Sequence, residues 1–323
     1  MNWSTPLTKT LGIRYPIIQG GLAYLARAEL AAAVSNAGGL GQITATTIDG
    51  GPQQLAEEIG HYRALAAGPF GVNFAIGHRP IEDLLDAAVA EGAPVISLTG
   101  GNPAPYVDRA KRGGARLMVL VAGVRAAKKA ESLGADVVIA VGQEGGGHIG
   151  RDDVGTFVLT RRVVESVSIP VVASGGVADG WGLLAGLALG ASGIEMGTRL
   201  VATAESMAHG QYKTALVAAT ESDTQIIERS LGRPGRVLPS RHVAAILAAE
   251  QSGVAAEEIL PLVSGEINRG AAVEGRLDEG FVWAGQASGL IDDIPTVKAL
   301  IHRMLAEAEE RSQILYQWIF SQT

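Results

Sequence analysis

The chain reads as an α/β protein, a (β/α)8 TIM barrel with a C-terminal helical cap. Three observations carry that expectation. Short β-branched runs alternate eight times with Ala/Leu/Glu-rich amphipathic segments. Several helical segments run into glycine just before the next strand, where a left-handed C-cap belongs. The strands read as continuous apolar runs, the signature of a parallel sheet covered on both faces, and eight βα units close a barrel more naturally than an open sheet.

The predicted strands are Tyr15–Gln19, Leu40–Thr44, Gly71–Ala75, Val95–Thr99, Leu117–Ala122, Val137–Val141, Pro170–Ser174 and Gly193–Met196. Between them the predicted helices are Ala28–Asn36, Pro52–Ala66, Pro80–Glu91, Pro105–Arg112, Val124–Leu133, Thr156–Val167 and Gly180–Leu189, with Ala204–Ala219 after the last strand. Gly38-Gly39, Gly92, Gly113-Gly114, Gly134 and Gly190 stop five of them, and a Gly-Ala step into an apolar strand recurs at Gly92, Gly114, Gly134 and Gly190. Residues 1–220 are taken as the barrel and 221–323 as a helical cap and tail packed on it. In that second part Asp223–Leu231 is expected to be helical, Gly232–Pro239 a turn, and His242–Gln251 helical again.

Composition narrows the function classes. Of 323 residues 43 are glycine, roughly twice the usual ~7%. Aromatics make up only 5%, so the core is built from Ala, Val, Leu and Ile. A net charge of −7 without a basic stripe argues against nucleic acid. The absence of cysteine removes disulfides, thiolate metal sites and thiol nucleophiles. No signal-peptide pattern and no apolar run of membrane length are read, so a cytoplasmic location without membrane association is expected. No His/carboxylate spacing suits a metal, and none is expected.

Active sites of such barrels lie at the carboxyl ends of the strands, with phosphate often bound after strands seven and eight. The seventh predicted strand ends in Ser174-Gly175-Gly176 and leads through Ala178-Asp179 to a helix start at Gly180. The eighth ends in Met196-Gly197-Thr198-Arg199. Glycine lets backbone approach a ligand, and free N–H groups at a helix start favour an anion. Thr198 is expected to add a hydroxyl and Arg199 a charge. Gln19-Gly20-Gly21-Leu22, Asn73 with Ala75, and Thr99-Gly100-Gly101-Asn102 ring the same mouth, and this clearance suits a flat flavin better than a sugar phosphate. After the sixth strand, Gly142-Gln143-Glu144-Gly145-Gly146-Gly147-His148-Ile149-Gly150 presents an imidazole on a glycine loop. His148 is therefore the candidate for proton handling or substrate orientation, with Glu144 a weaker candidate to orient it. His78 is a lesser candidate to line the substrate cavity, and His61, His209, His242 and His302 are expected to be peripheral.

These motifs resemble the nitronate monooxygenase family, whose relatives include FMN-dependent enoyl-acyl-carrier-protein reductases and NADH:quinone reductases. The resemblance runs from Tyr15–Gly21 through Asn36–Gly41, Pro69–Asn73, Glu144–Gly150, Ala173–Gly180 and Met196–Arg199 to Trp283–Gln286 and Gly289–Asp293. It implies an FMN held by Gly20, Gly21, Leu22, Asn73, Ala75, Gly146 and Gly147, with Ser174, Gly175, Gly176, Gly197 and Thr198 around the phosphate, and His148 as the active-site histidine. One departure is Leu120, where some nitronate-oxidising and quinone-reducing relatives carry lysine and the enoyl reductases are apolar. The first expectation is an FMN-dependent nitronate monooxygenase, using O2 to give a carbonyl compound and nitrite. The alternative is an NAD(P)H-dependent FMN reductase acting on an enoyl thioester or quinone. A non-redox phosphate-ligand barrel stands behind both, and a purine-nucleotide dehydrogenase would need a cysteine the chain lacks. The expected partner is a small-molecule substrate, and a homodimer is possible.

Overall fold

The computed structural model describes residues 1–77 and 79–320, so the expectation for His78 lies outside the described residues. The barrel wall consists of β1 (Ile17–Gln19), β2 (Gly41–Thr44), β3 (Phe70–Ala75), β4 (Val95–Thr99), β5 (Arg116–Val121), β6 (Val137–Val141), β8 (Val171–Ser174) and β9 (Gly193–Met196). All neighbours are parallel, in the order β1-β9-β8-β6-β5-β4-β3-β2. The seam closes by a parallel bridge between Ile18 and Leu40. There the Gln19 N–H donates to the Leu40 carbonyl and the Leu40 N–H to the Ile17 carbonyl, both at 2.9 Å. Each strand lies within two residues of its predicted span.

The period-two alternation of these strands builds two interiors. Outward residues such as Ile43, Val72, Phe74, Ile96, Leu98, Val119 and Val138 meet the ring helices in one cluster. Inward, Ile18, Leu40, Val95, Met118, Val137, Ile139 and Val172 fill the barrel together with Leu7 and Leu11. Those two leucines come from an unanticipated N-terminal helix, Pro6–Leu11, which Thr5 and Thr8 start with a reciprocal capping box. Toward the carboxyl ends the inward side chains become polar, with Asn73, Ser97, Ser174 and Glu195 all buried. The barrel interior thus has an apolar plug below and a polar layer above.

Small residues set how closely the layers approach. A Cβ on Gly41 would sit 1.9 Å from the Ala31 carbonyl oxygen, so the helix Ala28–Asn36 lies backbone-on-backbone against β2. Helices stacked this closely need few aromatic fillers, which accounts for the Gly/Ala-rich, aromatic-poor composition. The predicted stop signals are found as expected. Gly38, Gly92, Gly114, Gly134 and Gly190 all take positive φ.

After β9 the chain leaves the wall and returns in the long helix Val297–Phe320. That helix packs on Gly180–Ala188 and Ala28–Asn36, burying Val297, Leu300, Ile301 and Met304 against the outer face of β1, β8 and β9. Between these points lies a second sheet, formed by β10 (Gln225–Ile227), β11 (Gly235–Val237) and the two-residue β7 (Gly147–His148), in the order β10-β11-β7 and antiparallel. This corrects the expected helix over Asp223–Leu231 and the expected turn over Gly232–Pro239. The β-branched pair Ile226-Ile227 lies in an edge strand, and residues 228–234, ending in Gly232-Arg233-Pro234, form the hairpin connection. The predicted helix Ala204–Ala219 is also shorter, Gly210–Ala218, with His209 as its N-cap. Arg241–Ser252 is helical as expected. No described helix is long and apolar enough to cross a membrane.

Candidate active site at the barrel mouth

The carboxyl ends of β1, β3, β6, β8 and β9 and the loops after them are linked by a continuous series of contacts. A Cβ on Gly21 would lie 2.3 Å from Asn73 Oδ1, and one on Gly20 would lie 3.4 Å from the Glu195 carboxyl carbon. Asn73 in turn donates to Ser97 Oγ at 3.3 Å and to Thr99 Oγ1 at 3.5 Å. Ala75 ends β3 beside Thr99, half-buried at the rim. Leu22 approaches Gly197, and its N–H donates to Thr44 Oγ1 at 3.1 Å. Thr198 Oγ1 accepts from the Gly285 N–H at 2.9 Å, and Gly285 lies against Gly146. A Cβ on Gly175 would meet the Gly145 nitrogen and Thr156 Oγ1, both at 3.0 Å, which joins the loops after β6 and β8.

The anion-binding features sort differently from the expectation. Asp179 caps the helix Gly180–Ala188 by accepting from the Gly182 N–H at 2.8 Å, and Glu307 accepts from the Gly180 N–H at 2.9 Å. Two carboxylates thus already occupy that helix start. Arg199 also turns away. Its guanidinium is fully buried, donating to the carbonyls of Ala202 and Asp293 at 2.7 Å and pairing with the Asp293 carboxylate at 3.2 Å. It fastens the tail, so the charge expected from it at a phosphate is absent. What remains is the Gly175-Gly176 turn, with φ of +94° and +77°. The N–H groups of these two glycines have no hydrogen-bond partner among the described residues. Such consecutive free amides form a concave anion nest.

His148 is mounted more firmly than a glycine loop suggests. As part of β7 it pairs with Gly235 of β11, and its ring lies 4.9 Å from that of Trp283. Trp283 bridges to Val237, and Tyr212 donates a hydrogen bond to its carbonyl. A Cβ on Gly235 would lie 2.5 Å from the Trp283 ring, so only glycine fits there. His148 Nε2 stands 3.6 Å from Oε1 of Glu228, a buried carboxylate whose other oxygen is 2.5 Å from Arg233 Nε. Glu228 has a positive φ of +63°, unusual outside glycine. Glu144, which nearness along the chain suggested as the group orienting this histidine, faces elsewhere. It accepts from the Thr156 N–H at 2.8 Å and from Thr156 Oγ1 at 2.9 Å, capping the next helix. Glu228 was missed because it sits inside the segment read as helical.

Glu195 was also missed, hidden inside an apolar strand. It is fully enclosed, accepts from Ser174 Oγ at 2.8 Å, and burial pushes its pKa up to about 7, with the Ser174 hydrogen bond opposing the rise. The other histidines lie apart: His61 near Glu29, His209 at its helix cap, His242 on the Leu262 carbonyl, and His302 on the long helix. No group of three or more His, Asp or Glu among the described residues is placed to hold a metal. A surface cleft of about 770 Å³ between the N-terminal segment and the long helix is remote from all of this chemistry.

The model of the nitronate monooxygenase family matches residues 4–307. The chain belongs to that family. Among solved structures, FabK from Thermotoga maritima is similar at 41% identity and a TM-score of 0.91, covering 98% of this chain and 99% of that one. The (3aS,4S,5R,7aS)-5-hydroxy-7a-methyl-1-oxo-octahydro-1H-indene-4-carboxyl-CoA dehydrogenase of Rhodococcus jostii is 32% identical, over 96% of this chain and 97% of its own length. A probable nitronate monooxygenase of Staphylococcus saprophyticus is 30% identical, over 96% and 99%. The nitronate monooxygenase family therefore supplies an oxidoreductase barrel, and its members' names span more than one reaction.

Proposed function

We propose that this chain is an FMN-dependent reductase that draws on NAD(P)H and acts on an enoyl thioester. The observation that carries the reading is the lining of the mouth. Leu120 on β5 packs against the inward cluster, where some nitronate-oxidising and quinone-reducing relatives carry lysine and the enoyl reductases are apolar. The nearby guanidinium groups are committed elsewhere: Arg27 to the Thr44 and Thr47 carbonyls, and Arg236 to the Gln143 carbonyl and Thr224 Oγ1. Arg233 is spent on Glu228 beside His148, and Glu195 below has no cation against it, so an anionic nitronate finds little free counter-charge, whereas a neutral double bond needs none. The likeness to FabK, an enoyl-acyl-carrier-protein reductase, supports the same ordering.

The residues at the mouth suit FMN. The free amides of Gly175 and Gly176 with Gly197 and Thr198 would take the phosphate, while Gly20, Gly21, Leu22, Asn73 and Ala75 would face the ring and Gly146 and Gly147 its open edge. FMN, when bound, would carry two electrons from the nicotinamide to the substrate. His148 would give the proton taken up at the carbon next to the thioester, and Glu228 would hold the ring toward the mouth. The half-exposed position of His148 lets the imidazole recover that proton from solvent.

The family match favours a second reading, nitronate monooxygenase, in which His148 removes the α-proton of a neutral nitroalkane. Anaerobic absorbance spectroscopy separates the two. Bleaching of bound flavin by NADH or NADPH, and no response to an alkyl nitronate, is the outcome expected here. A response to the nitronate with neither nucleotide bleaching the flavin would overturn the reductase reading in favour of the monooxygenase. A colourless protein that takes up no FMN would overturn both.

A further inference from the structure

Glu195 belongs to no part of the proton-handling pair, yet it is the one carboxyl enclosed within the described barrel interior. From β8 it receives the Ser174 hydroxyl at 2.8 Å, and a Cβ on Gly20, in the loop after β1, would lie 3.4 Å from its carboxyl carbon. No lysine, arginine or histidine offsets it, and burial together with Ser174 accounts for its electrostatic environment. Another carboxylate on these loops, Glu144, accepts hydrogen bonds from the Thr156 N–H and hydroxyl, and that hydroxyl also reaches the Ser174 carbonyl at 3.2 Å. Ser174 is at the same time the first residue of the Ser174-Gly175-Gly176 turn.

A hydroxyl has a single proton to donate. When Glu195 is ionised, that proton is committed to the carboxylate, and Ser174 offers an incoming anion only lone pairs. When Glu195 is protonated, its own O–H can donate to Ser174 Oγ, which frees the serine proton for the anion. We propose that Glu195 is a proton-dependent positioning residue that sets, through Ser174, how tightly the barrel mouth holds a phosphate-bearing ligand. The inference rests on the reading of the Ser174–Gly176 turn as the phosphate seat. Its buried position keeps the switch in the neutral range, since burial raises the carboxyl to about 7. A second negative charge beside a bound phosphate raises the carboxyl further, in the same direction.

The test is equilibrium binding of FMN, and separately of riboflavin, to the flavin-free protein between pH 6 and pH 8.5, followed by flavin fluorescence. Glu195→Gln is compared with wild type, because the amide donates to Ser174 at every pH. The expected result is that wild-type FMN affinity weakens relative to the variant by up to ~10-fold per pH unit above about 7, with no such divergence for riboflavin. The phosphate's own ionisation near pH ~6 is common to both proteins and cancels in the comparison. Identical pH profiles for wild type and Glu195→Gln would overturn the proposal. If FMN binds no more tightly than riboflavin at any pH, the phosphate-seat reading fails, and the proposal falls with it. Should Glu195→Gln not fold, Ser174→Ala serves instead. Its FMN affinity is expected to lose the divergence above pH 7, and a wild-type slope in Ser174→Ala would overturn the inference.

Discussion

At the scale of single residues, the site is governed by two buried carboxylates that differ in their partners. Glu228 has a cation beside it and faces His148; Glu195 has only a hydroxyl. His148→Ala is expected to keep bound flavin and to lose turnover by ~100-fold or more, the usual weight of a positioned proton donor. Glu228→Gln should lower kcat by up to ~100-fold through misplacement of the imidazole, again with flavin content unchanged. Unaltered kcat in both variants, with every candidate substrate, would remove the pair from the chemistry. Glu195 also gives a stability prediction. Its folded pKa is raised, so the stability it contributes is full below its ordinary value of 4.5 and is lost as pH rises through about 7. Urea unfolding of the flavin-free protein at pH 5 and pH 8 should show wild type losing on the order of 2–3 kcal/mol relative to Glu195→Gln across that interval. An equal gap between the two proteins at both pH values would refute that account.

At the scale of elements, the second sheet decides where the histidine points. β11 holds β7 in register, Trp283 backs the imidazole, and Gly235 leaves room for the indole. Gly235→Ala would drive a methyl into that ring, at a cost of ~1–3 kcal/mol and with displacement of His148. The measurements are the thermal midpoint and kcat on the same preparation; a variant normal in both would show that the Trp283 wall gives way without consequence. The eight wall strands were legible because each reads as an apolar run, and five of them follow a glycine helix stop. Both signals are local, as at Val137–Val141 after Gly134. The pair β10 and β11 was not legible, because three-residue strands carry too little periodicity and the charged Asp223–Leu231 segment imitates an amphipathic helix. Glu144 was misassigned for a related reason. Its nearness to His148 in sequence says nothing of the Thr156 amide that captures it.

At the scale of the molecule, the tail is tied to the barrel by Asp293, which lies between buried Arg199 and exposed Arg303. The Arg303 hydrogen bonds, with both guanidinium charges adding, hold its carboxyl below the usual carboxylate range against some desolvation. Its contribution is therefore present above the ordinary carboxylate value and is lost as pH falls through the depressed one. Asp293→Asn should be less stable than wild type near pH 6, and the difference should shrink on acidification, as read from urea midpoints. A difference that stays constant with pH would mean that the contact works through shape and not charge. Beyond this tie, the long helix buries Val297, Leu300, Ile301 and Met304 on the outside of β1, β8 and β9, so the last stretch of chain helps complete the barrel's outer ring.

The sequence by itself determined the barrel, the span of its strands, the runs of glycine at their carboxyl ends, and the family. All of these are written in local periodicity, glycine stops and contiguous motifs. Tertiary structure alone decided which groups serve those motifs. It gave Glu228 and not Glu144 to the histidine, turned Arg199 to the tail instead of a phosphate, filled the helix start at Gly180 with Asp179 and Glu307, and enclosed Glu195 with no partner but Ser174. The physical reason is range. Strand and helix patterns repeat over a few residues, whereas the partner of a charge is whatever the fold brings within a few ångströms, here from as far as 127 residues along the chain.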